Sequence, residues 1–299
     1  MAANDLQTAF VPQKWSKRVL TRLDQLNVAL RCGAVNRDYE GDIKTEGDTV
    51  WVRTYGNVTM GRYTRESGIN YNGLTPVKQS LQVNDAQYFA FAVDDLDTAQ
   101  NDLNALDGYT DRAAVAMNEV VEAKCWAPYA SAITANKLTN SGSAYTVSSS
   151  NAYSLLVDAQ KALNKAKAPR EGRWAVIGPT YEAALLKDST YVIRATDLGD
   201  KVVMMGMKAV AANTVPGFLG QCAGFNLFGT TSLPTDGSTG TYALFGSPGV
   251  ISYAGQIRKL ERIRLQDTFG DAVRGLILHD SKVFDEHAKA LGYIYYTES

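Results

Sequence analysis

The sequence predicts an α+β fold, and three features of the chain support this prediction. Residues 48–55 and 77–83 alternate apolar and polar side chains, a pattern that is typical of β-strands. Residues 103–135 instead carry apolar side chains at helical spacing, which predicts one long helix. The second half of the chain mixes short apolar strands with amphipathic helices. Helices and strands are therefore both expected to contribute to the core.

The segment 48–93 is predicted to form an extended β-hairpin. Its first strand places Val50 and Val52 on one face and Trp51 on the other, and a polar stretch with several glycines leads to the return strand at 77–83. An isolated hairpin is at best marginally stable in water, so this arm needs a surface to lie on. No neighbouring segment resembles such a surface, and we therefore expect another copy of the chain to cover the hairpin.

Helices are predicted where apolar side chains recur at helical spacing. Asp94 and Asp95 stand where an N-cap belongs, ahead of a short helix predicted to end near residue 101. Pro128 is expected to kink or end the last turns of the long helix that follows. The predicted helices are 12–31, 103–135, 152–167, 181–186 and 249–257.

Strands are predicted from short apolar or alternating runs. Residues 88–93 are apolar on both faces, as in a strand that enters a core, and 273–284 is the last strand expected. The Ser-rich stretch 139–151 is the clearest linker and the first candidate domain boundary. Further strands are predicted at 174–177, 225–228, 242–245 and 259–265.

Composition and charge exclude several classes of protein. The 299 residues are 45% hydrophobic and 20% charged, so wholesale disorder is not expected. A formal net charge of -1 offers no global polycation to nucleic acid. No signal peptide and no run of apolar residues long enough to cross a bilayer is present. Cys32, Cys125 and Cys222 are odd in number and far apart, which predicts buried, reduced thiols.

The chain contains few of the residues and motifs that catalysis usually requires. His279 and His287 are its only side chains that ordinarily titrate near neutral pH. Asp280 follows His279 and could orient it as a general base, but adjacent residues of a strand face opposite sides of the sheet. We therefore favour a structural histidine at the end of a strand, hydrogen-bonded to the backbone. Phosphate-binding loops, nucleophile elbows and the usual zinc spacings are missing. We therefore expect a protein that is not an enzyme, with no catalytic, cofactor or metal site.

Four stretches, taken in their order along the chain, carry a resemblance to a known family. They are VNRDYEG with the following GDTV at 35–50, DAQYFAFAVDD at 85–95, AGFNLF at 223–228, and LERIR with FGDAVRGL at 260–276. In this order they resemble the major capsid proteins of tailed phages, which have the Hong Kong 97-like fold. The resemblance extends over residues 10–294.

The resemblance implies a division of the chain into five parts. The expected fold is an α+β Hong Kong 97-like capsid fold in which an axial α/β domain is inserted into a peripheral domain. The parts are an N-terminal arm (1–47), an extended hairpin loop (48–93), a peripheral domain with the spine helix (94–150), an axial domain (151–257) and closing strands of the peripheral domain (258–299).

The same resemblance implies function and partners. We expect subunits that assemble as pentamers and hexamers into an icosahedral shell around double-stranded DNA, as part of a virion built in the host cytoplasm. A separate scaffolding protein and a portal protein are expected partners, a cement protein is a further candidate, and no membrane is involved. The residues expected at inter-subunit contacts are Arg53, Arg62, Arg65 and Glu66 on the arm, facing Glu261, Arg262 and Arg264 of a neighbour.

Three alternatives remain open at this point. A cellular nanocompartment shell of the same fold would enclose enzyme cargo in place of DNA. An enzyme could use the hairpin for dimerisation, although the scarcity of histidine and the missing motifs argue against it. The basic face of the first predicted helix could serve a nucleic-acid-binding module.

Overall fold

The computed structural model describes residues 27–38, 49–54, 60, 62, 77–94, 105–188, 215–237, 240–265 and 270–297. The helices within these residues are α1 (Val28–Arg31), α2 (Ala105–Trp126), α3 (Ala152–Lys165), α4 (Pro179–Lys187) and α5 (Asp285–Ala288). Two 3-10 helices follow α2, at Ala127–Ser131 and Thr134–Asn136.

The strands comprise one hairpin and the members of two larger sheets. The first six are β1 (Val35–Asn36), β2 (Thr49–Thr54), β3 (Val77–Gln82), β4 (Asp85–Asp94), β5 (Lys137–Leu138) and β6 (Tyr145–Thr146). The others are β7 (Trp174–Ile177), β8 (Phe218–Cys222), β9 (Phe225–Gly229), β10 (Gly240–Gly246), β11 (Ile251–Arg264), β12 (Gly270–Val283) and β13 (Leu291–Thr297).

Strand pairing defines a four-stranded and a seven-stranded sheet beside the two-stranded hairpin β2–β3. The four-stranded sheet has the order β1-β11-β12-β4, and its two longest strands, β11 and β12, are antiparallel. The seven-stranded sheet has the order β5-β13-β10-β7-β9-β8, with β6 also pairing with β13. Helices lie against these sheets in a mixed architecture, which is the predicted α+β class.

The main core lies between α2, α3 and the seven-stranded sheet. Trp126 of α2 and Trp174 of β7 are fully buried, with ring centroids 5.7 Å apart. Leu156 and Leu163 of α3 are also fully buried in this cluster. The long helix is therefore fixed against the larger sheet through its C-terminal end. No helix within the described residues combines the length and the hydropathy needed to cross a membrane.

Several predicted elements are confirmed, but the end of the long helix and the helix at 249–257 were predicted wrongly. The long helix ends at Trp126, where a 3-10 turn containing Pro128 replaces the predicted last turns because proline cannot continue an α-helix. The predicted helix at 249–257 is instead the start of β11. Ile251–Ala254 are buried on both faces, so this strand lacks the alternation that would have identified it. Most of the predicted helix at 12–31 lies outside the described residues.

The last strand was not predicted, and it bears on the domain assignment. β13 pairs with β10 over seven residues, from Gly240↔Thr297 to Gly246↔Leu291. It therefore shares a sheet with β7, β9 and β10, which belong to the predicted axial segment 151–257. Its own residues, however, fall in the segment 258–299, which was predicted to contain the closing strands of the peripheral domain. The domain boundaries themselves remain predictions.

Candidate assembly interface

The predicted hairpin is confirmed at its base. β2 and β3 pair in antiparallel register from Thr49↔Gln82 to Thr54↔Val77, as the alternation on both sides of the polar stretch indicates. Between the two strands only residues 60 and 62 are described, and the side chains of Met60 and Arg62 are both exposed.

The base of the hairpin packs on the subunit's own four-stranded sheet. This contact forms a second, small hydrophobic core, in which Leu81 is 1% exposed and Val83 is fully buried. The expectation that no part of the chain covers the hairpin is therefore wrong at its base. The residues that form this core are Val50, Val52, Leu81, Val83, Ala254, Leu278 and Phe284.

Polar contacts reinforce this attachment. The side-chain amide of Gln79 donates a hydrogen bond to the Asp285 carboxylate, and the backbone N–H of Asp285 donates to Gln79 Oε1 at 3.2 Å. The ammonium group of Lys282 donates to the backbone carbonyl of Ser80 at 2.6 Å. The return strand is thus held by β12 and α5, which sets the direction in which the hairpin leaves the subunit.

The opposite side of the hairpin faces solvent. Trp51 is 66% exposed, so its ring does not pack beneath the base of the arm. Lys78 is exposed as well, and Arg53 lies directly opposite Lys78 in the strand register. A large aromatic side chain and positions for two cations therefore occupy the side of the hairpin that the subunit leaves uncovered.

A second uncovered apolar surface follows on β4. Tyr88 is 80% exposed and lies opposite Leu276 of β12, while Phe89 on the other face packs against the main core. The prediction that both faces of 88–93 are buried is wrong, because no described segment covers the face of β4 that carries Tyr88. The small side chains Ala90 and Ala92, both exposed, could have signalled an open face, since they would fill a core poorly.

The predicted inter-subunit residues fall into two groups on different sheets. Arg53 lies on the hairpin, whereas Glu261, Arg262 and Arg264 share one strand of the four-stranded sheet. Arg264 is exposed. Arg62 is also exposed, and Arg65 and Glu66 lie outside the described residues. Contact between the two groups across subunits remains a prediction.

A charged cluster joins the start of β4 to the end of α2. Lys124 Nζ lies 3.1 Å from Asp85 Oδ2 and 3.3 Å from Asp280 Oδ1. Partial burial opposes the charge on Lys124, but the two carboxylates raise its pKa above the usual value. Burial likewise opposes ionisation of Asp85, yet hydrogen bonds from Gln87 and Lys124 hold its pKa below the usual value. Lys124 therefore stays charged and ties helix to strand.

Among the described residues, the side chains considered for catalysis or metal binding form no catalytic arrangement. Within them, no group of three or more His, Cys, Asp or Glu side chains could hold a metal ion. His279 is fully buried inside β12 and faces the Tyr253 hydroxyl, so the predicted position at a strand end with a backbone partner is wrong. Cys32, Cys125 and Cys222 are free and buried, as predicted. Burial raises the pKa of the Cys32 and Cys222 thiols to about 12, which keeps them unreactive.

Solved structures of similar fold come from viral and virus-like particles. A structure from Mycobacterium phage Che8 has a TM-score of 0.66 and 23% sequence identity, over 87% of this chain and 88% of that chain. The capsid of cyanophage P-SCSP1u has a TM-score of 0.65 and 15% identity, over 90% and 87%. A virus-like particle from Pyrococcus furiosus has a TM-score of 0.55 and 13% identity, over 94% and 98%. At these identities the comparisons show the fold alone.

These similarities assign the fold to a class. An α+β subunit with a β-hairpin, a long helix and two packed sheets, similar to capsid structures over nearly its whole length, has the Hong Kong 97-like capsid fold. Residues 78–288 match the model of the family described as phage capsid protein. The chain belongs to this phage capsid protein family and is a structural protein of the virion shell. No curated protein matches the sequence.

Proposed function

We propose that the chain is the major capsid protein of a tailed bacteriophage, which assembles as pentamers and hexamers into an icosahedral shell around double-stranded DNA. The observation that carries the proposal is the hairpin itself. Its base is fixed to the subunit through Leu81 and Val83, while Trp51 on its other side is left open. A fixed arm with an open aromatic face is suited to contact a neighbouring subunit.

The uncovered apolar surfaces support assembly over a monomeric role. Monomeric proteins rarely leave large aromatic side chains exposed next to open strand edges, because such surfaces bind other chains. Here Trp51 on the hairpin and Tyr88 on the outermost strand are both mostly exposed. A closed shell covers such surfaces with other copies of the chain.

In the proposed shell, the hairpin loop, the long helix and the axial segment each have a role. The hairpin loop 48–93 lies across a neighbouring subunit, and α2 is the spine of the peripheral domain. Arg53, Arg62, Arg65 and Glu66 meet Glu261, Arg262 and Arg264 of that neighbour. The segment 151–257 clusters around the five-fold and six-fold positions.

Net charge and partners complete the proposal. A formal net charge of -1 suits a wall that encloses DNA without binding it tightly, because tight binding to DNA requires many cationic contacts with phosphates. A separate scaffolding protein sets the shell size, and a portal protein occupies one vertex. A cement protein is a further candidate partner on the outer surface. Assembly takes place in the host cytoplasm.

Single-particle electron microscopy of the chain tests the proposal. The chain is expressed alone and together with its neighbouring genes, and the particles are purified and their absorbance spectra recorded. We expect closed icosahedral particles made of pentamers and hexamers, containing double-stranded DNA when the phage genes are present. A compact, monodisperse monomer whose whole hairpin packs on its own body would contradict the proposal.

A second function is supported by one comparison. The structure similar to this chain over 94% of its length, and over 98% of the other chain, is a virus-like particle from Pyrococcus furiosus. A nanocompartment shell that encloses enzyme cargo therefore remains the alternative. Particles that absorb as protein alone, and whose mass spectrum contains a second, enclosed protein, would favour it over the phage capsid.

A further inference from the structure

His279 occupies a buried position beside the charged cluster. Its side chain is fully buried inside β12, where residue 279 pairs with Gly255 of β11 on one side and Asp85 of β4 on the other. Nδ1 lies 3.4 Å from the Tyr253 hydroxyl. Nε2 is buried, has no hydrogen-bond partner within the described residues, and lies 3.9 Å from Asp85 Oδ2.

Three charged groups act on this imidazole, and one hydroxyl lies beside it. Asp85 belongs to β4, Lys124 to α2, Asp280 to β12 and Tyr253 to β11. With a neutral imidazole, two carboxylates share one ammonium group. One added proton therefore balances the charges of the cluster.

One carboxylate oxygen lies between the two basic side chains. Asp85 Oδ2 is the atom that lies 3.1 Å from Lys124 Nζ and 3.9 Å from His279 Nε2. The first distance is that of a charge-assisted hydrogen bond, whereas the second is too long for any hydrogen bond. If this oxygen moved by about 1 Å towards the imidazole, His279 would replace Lys124 as its hydrogen-bond partner.

The cluster also lies where three structural elements meet. Asp85 begins β4, two residues after the buried Val83 that anchors the hairpin. Lys124 lies in the last turn of α2, and its backbone carbonyl accepts a hydrogen bond from Ser281 Oγ at 2.5 Å. A change in the partner of Asp85 therefore acts on the junction between the long helix and the strand that continues from the hairpin.

We propose that His279 is a proton-operated switch at the junction of α2, β4 and β12. The imidazole takes one proton from solvent, after which both ring nitrogens carry a hydrogen and Nε2 donates to Asp85 Oδ2. Asp85 then leaves Lys124, which keeps Asp280 as its partner. The end of α2 is released from the start of β4, and the base of the hairpin gains freedom to move.

The environment of His279 sets the direction of the pH dependence. Burial lowers the pKa of His279, and the opposing effect of Asp85 is smaller. The imidazole is therefore neutral at neutral pH and becomes charged only below its usual titration range. The junction is closed at neutral pH and opens on acidification.

Backbone hydrogen exchange, measured by mass spectrometry on the full chain, tests the switch. Rates are compared between about pH 7.5 and pH 4.5, because the lowered pKa of His279 delays its protonation, after correction for the intrinsic chemical rate. We expect residues 85–94 and the end of α2 to exchange about tenfold faster at the lower pH. His279→Gln should abolish this difference, because glutamine does not titrate. His287→Gln is the matched control, since His287 is exposed and is the only other histidine of the chain.

Two results would overturn the proposal. One is a pH-dependent difference that persists in His279→Gln, and the other is its absence in the unaltered chain. If His279→Gln fails to fold, exchange of the imidazole C2 hydrogen in the unaltered protein still reports the pKa of each histidine. A His279 that takes up no proton between the two pH values would then contradict the switch. Each measurement applies to free subunits as well as particles, so failure of the switch leaves the shell function untouched.

Discussion

Arg274 binds Glu261 across the long antiparallel pair β11–β12 with two hydrogen bonds. Its Nε and a terminal guanidinium nitrogen lie 3.0 and 2.6 Å from the same carboxylate oxygen, Oε2. The two side chains are 59% and 35% exposed, so solvent weakens the pair. Glu261, a predicted inter-subunit residue, is thus already held in position within its own subunit.

Arg274→Ala should therefore have little effect on subunit stability. We expect the free energy of unfolding, measured by urea denaturation, to fall by less than about 1 kcal/mol, and by less still at high salt. If Glu261 contacts a neighbouring arm as proposed, the variant should form clearly fewer particles although its free energy of unfolding is almost unchanged. A loss of several kcal/mol in the monomer would show that the pair is a structural element of the fold instead.

Trp51 and Leu81, from the two strands of the hairpin, should respond in opposite ways to truncation. Leu81→Ala removes a side chain that is 1% exposed in the small core and should cost about 3 kcal/mol of stability. Trp51→Ala removes a side chain that is 66% exposed, so monomer stability should change by less than about 1 kcal/mol while assembly is lost. Thermal unfolding of the subunit and particle counts by electron microscopy measure the two effects. Normal particle yield from Trp51→Ala would contradict its interface role.

Charge reversal on the arm tests the predicted contacts more directly. Arg65→Glu should impair assembly and leave the folding of the subunit intact, because we expect Arg65 to meet charges only on a neighbour. Arg170→Glu is the matched control, since Arg170 is exposed and lies outside the predicted contacts. Light scattering follows assembly, and circular dichroism checks the fold. Particles formed at the unaltered yield by Arg65→Glu would refute the assignment.

Glu122 of α2 should make the subunit less stable as the pH rises. Its side chain is buried and accepts a hydrogen bond of 2.6 Å from Thr230 Oγ1. Burial raises the pKa of Glu122, against the effect of that hydrogen bond. The folded state then holds the proton more tightly than the unfolded state does. The resulting stability is present at low pH and is lost as the pH rises through the folded pKa.

Glu122→Gln should remove this loss, since glutamine keeps the acceptor oxygen and cannot ionise. We expect a melting temperature above that of the unaltered subunit at about pH 8, and a smaller difference between the two at about pH 5. Glu171→Gln serves as control, because Glu171 is exposed and lies outside this helix. An equal response of both variants at every pH would contradict the prediction.

Gly217 should resist substitution more strongly than Gly237. Both have positive φ, +71° and +79°, where a side chain is strained. A Cβ at Gly217 would also collide with the carbonyl oxygen of Gly229, whereas Gly237 faces open space. We expect Gly237→Ala to cost about 1 kcal/mol and Gly217→Ala clearly more, measured by urea denaturation. Equal costs would show that the backbone at Gly217 adapts.

Local sequence patterns predicted much of the fold. The hairpin pair β2–β3, the strand β7 and the helix α3 follow from alternation, short apolar runs and helical spacing. The second part of β11 was predicted as the strand 259–265, but its first part was mistaken for a helix because Ile251–Ala254 are buried on both faces. In each case the success or failure depended on whether local pattern alone distinguishes a helix from a strand.

Contacts between distant segments could not be predicted. The base of the hairpin is covered by Leu278 and Phe284, which lie far along the chain, and nothing in residues 48–93 points to them. The burial of His279 next to Asp85 likewise depends on the pairing of β12 with β4. Of the predicted contact residues, sequence alone identified an exposed charge at Arg264, but it missed the open faces of Trp51 and Tyr88.

The position of β13 also constrains how the subunit is made in the cell. This strand lies between β10 and the short strands β5 and β6, inside the seven-stranded sheet. Among the described strands, β5 and β6 pair with the rest of the sheet only through β13, so they cannot join it during translation before residues 291–297 have been made.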